Sequence, residues 1–212
     1  MNHPIPRQAV ATRIIALAVV VGDVLYHTGP ILPLAGLVAI LCLNDGAPPC
    51  LGMKWAPVQG WRYWCRLALW FGAAVGVLVL IYGGVCLLMK KEIPIYRTDP
   101  NELSSQLFLM CVYAPVAEEV VYRSLLATAI LPTAGRYGTI LVSGFVFALI
   151  HVLGGNASPE NQIAGFLLAW AFLKSGTILV PIAMHSAGNL IALASHVAAW
   201  YWFPEGQVSF PS

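Results

Sequence analysis

Two adjacent carboxylates and an arginine stand in a stretch that otherwise excludes charge: Ala117-Glu118-Glu119-Val120-Val121-Tyr122-Arg123, inside the apolar run 103–131. Charged groups at such positions are costly in a bilayer and point to function by default. Neighbouring carboxylates repel each other, and a nearby cation relieves that repulsion. Arg123 follows Glu119 by four residues, the favourable acid-before-base pairing on one helix face, whereas Glu118 lies five residues away on a less suitable face. The spacing assigns Glu119 to a fixed ion pair and leaves Glu118 for proton transfer. A structural reading stands beside it, in which the Glu–Arg pair only braces two helices.

Further along, His151 closes an apolar segment, with Phe147 one turn earlier and able to pack on the imidazole. A single histidine at a helix end is usually structural. His185 and Asn189, in His-Ser-Ala-Gly-Asn, are spaced i, i+4 and share one helix face. They either tie neighbouring helices by hydrogen bonds or present donors to a substrate. His196 follows His185 by eleven residues and stands about 16 Å further along a helix, so it reads as structural or interfacial. Together the set supplies the parts for hydrolysing an amide. A carboxylate activates water, and the His/Asn donors stabilise the oxyanion, each worth about 10²–10³ in rate. No serine nucleophile is supported: Ser143 and Ser186 lack an elbow or a base partner, and no GxSxG occurs.

Taken in order, the three elements resemble the CPBP family, also called the ABI family, of intramembrane proteases: the type II CAAX prenyl endopeptidases and their bacterial relatives. Glu118-Glu119-Val-Val-Tyr-Arg123 matches EExxxR, Phe147-Ala-Leu-Ile-His151 matches FxxxH, and His185-Ser-Ala-Gly-Asn189 matches HxxxN. The stretch from Gly176 to Pro181 also looks like the family's lead-in. The resemblance spans roughly 105–200, and residues 1–100 carry no matching motif. It implies an eight-helix or similar all-α core with the site in a membrane cavity. It makes Glu118 the water-activating base with His151 as partner, His185 and Asn189 the oxyanion donors, and Glu119, Arg123 and Phe147 supports. The short chain and small loops look bacterial, implying the inner (cytoplasmic) membrane and a substrate other than a prenylated CAAX protein. A zinc ion held by Glu118, His151 and His185 would leave a position for water. Without HExxH, and with Asn189 a poor zinc ligand but a good oxyanion donor, a cofactor-free glutamate mechanism is favoured over the zinc version.

The elements that must position these groups follow from composition. Of 212 residues, 59% are hydrophobic and 9% charged, with mean hydropathy +0.78, against about 25% charged in soluble domains. This excludes a soluble enzyme and a disordered regulator. The balance of 11 basic and 9 acidic residues excludes a nucleic-acid partner. Five cysteines without CxxC spacing point to neither a disulfide framework nor a zinc site.

Uncharged runs of about 20 residues mark membrane spans, most cleanly Leu67 to Met89 before Lys90 and Lys91. The stretch 14–43, interrupted by Asp23, Gly29, Pro30 and Pro33, is either one kinked span or two short ones, and no cleavage pattern follows it, so an uncleaved anchor is expected. Residues 44–66, with Trp55, Trp61 and Trp64, read as an interfacial loop or surface helix. Apolar segments follow near 103–131, 137–153, 161–173 and 176–203. Arg7 and Arg13 favour a cytoplasmic N-terminus, but both ends of the 67–89 span are basic and do not discriminate.

The expected fold class is an all-α polytopic bundle of six to eight helices around a membrane-embedded cavity. N-terminal helices would occupy 1–104, the catalytic core 105–203 and a tail 204–212. The expected partners are the lipid bilayer and a membrane-anchored protein or peptide, with a C-terminal sorting anchor as one candidate substrate. Two alternatives stand: a non-catalytic immunity or assembly protein of the same fold, and a small transporter, disfavoured because no inverted repeat is visible.

Overall fold

The computed structural model describes residues 7–26, 31–43, 51–90, 93–94, 96–156, 158–202 and 207–208. In chain order the helices are α1 (Arg7–Tyr26), α2 (Ile31–Leu43), α3 (Trp61–Leu88), α4 (Leu103–Phe108), α5 (Ala114–Glu119), α6 (Leu126–Leu153), α7 (Pro159–Ser175) and α8 (Leu179–Trp202). Two π-turns, Leu109–Tyr113 and Val120–Leu125, join α4 to α5 and α5 to α6. The only extended pairing among the described residues is a two-residue antiparallel contact of β1 (Ile93–Pro94) with β2 (Gln207–Val208).

The fold is all-α. Counted separately the described helices number eight; with the run Pro100–Leu153 taken as one body they number six. Three are long and apolar enough to cross a membrane: α3, the run Pro100–Leu153, and α8. At 1.5 Å per residue, the 28 residues of α3 exceed the roughly 30 Å of a bilayer core.

The chain divides into two compact units, Met1–Gly60 with Pro115–Ala183, and Trp61–Ala114 with Met184–Ser212. In the first, α1 and α2 pack as an antiparallel hairpin without room for side chains at the crossing. A Cβ at Gly22 would stand 2.9 Å from Leu32 Cδ2, and one at Gly36 would strike Val19. The stretch 14–43 is therefore two helices rather than one kinked span, and Pro33 falls in the first turn of α2, where no backbone donor is missed. The turn 27–30 lies outside the described residues. Ala16, Val19, Val20, Leu37 and Ile40 from this hairpin join Leu125, Leu126, Phe147 and Phe172 in one core. Arg13 ties α1 to α6 through the Ala129 carbonyl (3.0 Å) and the Thr133 hydroxyl (3.3 Å).

The expected interfacial segment 44–66 is shorter than its sequence suggested, because α3 already begins at Trp61. Trp55 is exposed as an interfacial residue would be, but Trp64 is buried. Residues 44–50 lie outside the described ones. The non-helical backbone from Leu51 to Gly60 is satisfied by the α7–α8 turn and by Ser124. Ile178 N donates to the Gly52 carbonyl (2.9 Å), Val58 N to the Ser175 carbonyl (3.0 Å), and Ser124 Oγ to the Leu51 carbonyl (2.8 Å). Irregular backbone in an apolar protein needs such partners.

Local chemistry sets the helix ends. Ser158 and Pro159 open α7, and Gly176 closes it in the left-handed conformation (φ 70°) that glycine adopts without strain. The break expected between the apolar segments 103–131 and 137–153 falls at Gly135 (φ 64°, ψ −175°), while Pro132 remains inside α6. In the second unit, Arg97 lies over the Trp200 ring at 4.4 Å. His196 packs on Tyr96 at 5.6 Å between ring centroids, and its carbonyl accepts from Thr98 N (3.2 Å).

Candidate active site

Glu119 and Arg123 are both fully buried, and Arg123 Nε stands 3.0 Å from Glu119 Oε2. Burying either charge alone would be prohibitive, so each requires the other. The guanidinium is fixed further by donation from Nη2 to the Gly165 carbonyl of α7 (3.1 Å), and it lies over the Phe147 ring at 4.6 Å. The chain turns through a π-helix immediately after Glu119.

Glu118 has a different environment. Its side chain is 29% exposed, and its Oε2 stands 4.0 Å from His151 Nε2, with the imidazole 19% exposed. Both residues line an open cavity of about 210 Å³ with Tyr122, Ile150, Gly154 and Asn156. Two features fix the imidazole. It stacks on Phe147 at 4.3 Å with the planes 28° apart, and its Nδ1 lies 2.9 Å from the Phe147 carbonyl. A carbonyl only accepts, so Nδ1 carries the proton and Nε2 is the nitrogen presented to Glu118. Phe147 thus serves both halves of the site: one ring packs on the imidazole and on the guanidinium that holds Glu119.

The π-turns account for residues the sequence reading left unused. In the turn Val120–Leu125, Leu126 N–H bonds the Val121 carbonyl five residues back, so the Tyr122 carbonyl is released from the ladder. Ser143 Oγ, buried in α6, donates to it at 3.0 Å. Ser143 is therefore a clamp on the motif helix and not a nucleophile. Its signal in the sequence was positional, since Ser143, Phe147 and His151 recur at i, i+4 and i+8.

The second unit repeats the device. In the turn Leu109–Tyr113, Ala114 N–H bonds the Leu109 carbonyl, which releases that of Met110. Asn189 Nδ2 of α8 donates to it at 2.6 Å. The helix-tying reading of the His/Asn pair is thus realised for Asn189. His185 is part-buried one turn before it. Of the expected site residues, Glu118, Glu119, Arg123, Phe147 and His151 lie in the first unit, and His185 and Asn189 in the second. Among the described residues of the first unit, no third His, Cys, Asp or Glu joins Glu118 and His151 in a metal-binding group.

Comparison with known proteins bears on the same segment. Residues 100–191 match the family described as type II CAAX prenyl endopeptidase, Rce1-like. The chain is also similar to the UPF0177 protein YxdF of Lactococcus lactis subsp. lactis (strain IL1403), at 24% identity over 137 residues, covering 60% of this chain and 73% of that protein. No solved structure matches. The matched segment, somewhat less than half of the chain, contains Glu118, Glu119, Arg123, Phe147, His151, His185 and Asn189, and over it the chain is similar to the Rce1-like family of type II CAAX prenyl endopeptidases.

Proposed function

We propose that this integral membrane protein is an endopeptidase that hydrolyses a peptide bond of a membrane-anchored protein or peptide, using water activated by Glu118. The observation that carries this reading is the Glu118–His151 pair, 4.0 Å apart on the wall of an open cavity, beside a Glu119 already neutralised by Arg123. The separation is too long for a direct hydrogen bond and suits one bridging water. Glu118 takes a proton from that water as its oxygen attacks the scissile carbonyl carbon. The proton then passes to the leaving nitrogen as the C–N bond breaks, giving a carboxylic acid and an amine. His151 holds the water through Nε2. The resemblance of the His185-Ser-Ala-Gly-Asn189 motif, rather than any distance, is what names His185 and Asn189 as donors to the oxyanion. The reaction needs no cofactor. The short chain and small loops favour a bacterial cytoplasmic membrane, and a C-terminal sorting anchor is a substrate of suitable chemistry.

The test is cleavage of a library of fluorophore-quenched single-span peptides by the purified protein in liposomes. Wild type is expected to cut members near the membrane boundary. Glu118→Ala and His151→Ala should each lose about 10²–10⁴-fold in rate, with folding and insertion intact. Activity that persists under exhaustive chelation removes the zinc version; activity lost with chelation and restored by zinc replaces the glutamate mechanism with it. Undiminished cleavage by either alanine variant would sink the proposal.

A further inference from the structure

Asn156 lines the cavity of Glu118 and His151, and neither the three motifs nor the proteolytic reading uses it. It stands three residues beyond Leu153, where the apolar run Pro100–Leu153 ends, and so at the boundary of that span. Its place is set by the way α6 stops. Asn156 N donates to the His151 carbonyl (2.8 Å) and Gly155 N to that of Val152 (3.1 Å), with Gly155 left-handed at φ 86°. These two bonds form a Schellman closure, whose left-handed position suits glycine. The residue that presents its imidazole to Glu118 therefore also holds Asn156 by its backbone. The side chain is oriented as well: Asn156 Oδ1 accepts from Ser158 N at 3.4 Å, just ahead of α7. With the oxygen turned to that backbone, what the amide offers is its two Nδ2 hydrogens.

Such donors answer a need that any single-span substrate creates. A transmembrane helix satisfies its own carbonyls, and cleavage requires the segment around the scissile bond to be unwound. Each carbonyl freed beside hydrocarbon then costs energy until a donor meets it. We propose that the Asn156 amide donates from Nδ2 to a main-chain carbonyl of the substrate, holding a locally extended segment against Glu118 and His151. Asn156 is exposed where Glu118 and His151 are part-buried, which suits a carbonyl beside the scissile bond rather than the oxyanion itself. The contact reads backbone and not side chain. The substrate class is therefore a membrane segment that unwinds at its boundary. The inference rests on the proposed protease reading and names what its site grips.

The test reads full-length protein in liposomes in two ways: cleavage of the quenched single-span peptides and, in the Glu118→Gln background, binding of the same peptides by energy transfer. Asn156→Ala removes the amide, whereas Asn156→Asp keeps the oxygen that Ser158 N uses and removes only the donors. Both should raise KM about three- to tenfold with kcat within about twofold, and weaken binding by the same factor. Boundary carbonyls of the peptide are then converted one at a time to thioamides, which are weaker acceptors. At one position this should weaken binding to the Glu118→Gln protein and add nothing once Asn156→Ala is also present. Wild-type KM in Asn156→Asp beside a raised KM in Asn156→Ala would make Asn156 a turn residue only and overturn the inference. Unchanged KM and binding in both variants overturn it too and leave the protease reading standing. Peptides that are bound but never cut, with binding weakened in both variants, uphold the carbonyl contact and overturn the protease reading. A library of which no member binds overturns both.

Discussion

Glu118 and Glu119 are neighbours in the chain and opposites in environment. Glu119 is sealed against Arg123, while Glu118 reaches the cavity. The difference predicts different costs. Arg123→Ala strands a fully buried carboxylate and should cost about 3–5 kcal/mol of stability, read as a large fall in thermal midpoint in detergent. Glu118→Gln, at a partly exposed position, should stay within about 1 kcal/mol of wild type. Equal destabilisation by the two would contradict this division of roles. The division was legible in the sequence because four residues separate an acid from a base on one helix face and five do not. The duty of Ser143 was not legible in the same way. It depends on a carbonyl released by a π-turn, and Val120–Leu125 reads as ordinary apolar helix until its hydrogen bonds are seen.

At the scale of elements, the site depends on how closely α7 approaches α6. A Cβ at Gly165 would stand 2.8 Å from the Gly144 carbonyl and 3.0 Å from Phe147 Cδ1, and one at Gly144 would strike the Phe166 ring. Gly165 also supplies the carbonyl that anchors Arg123. Gly165→Ala should therefore push α7 outward, cost about 1–3 kcal/mol and slow cleavage through the displaced Phe147. A Gly165→Ala protein with unchanged thermal midpoint and rate would show that this crossing is looser than the distances indicate. Apolar runs and proline or glycine separators made the helices legible. Two boundaries differ for local reasons: Pro132 stays within α6 while Gly135 breaks it, and α3 starts at Trp61 inside the expected interfacial segment.

At the scale of the whole molecule, the low charge content places the chain in the bilayer and leaves few ionisable groups inside it. Three helical bodies are long and apolar enough to cross. After carbonate extraction of membranes the chain should remain in the pellet; release into the supernatant would contradict integral insertion. Asp23, Glu118, Glu119, Arg123 and His151 all fall in the first unit. The motifs of the C-terminal half were legible as chemistry, whereas the packing of α1 against α6 was not, because nothing in sequence links Arg13 to the Ala129 carbonyl it donates to. The central claim, that Glu118 activates the water, is tested most directly by the turnover of Glu118→Gln on a cleaved membrane peptide, at matched folding. Glutamine keeps the size and removes the base, so the rate should fall by at least about 10² with the thermal midpoint preserved. A Glu118→Gln protein that cleaves at the wild-type rate would contradict the account.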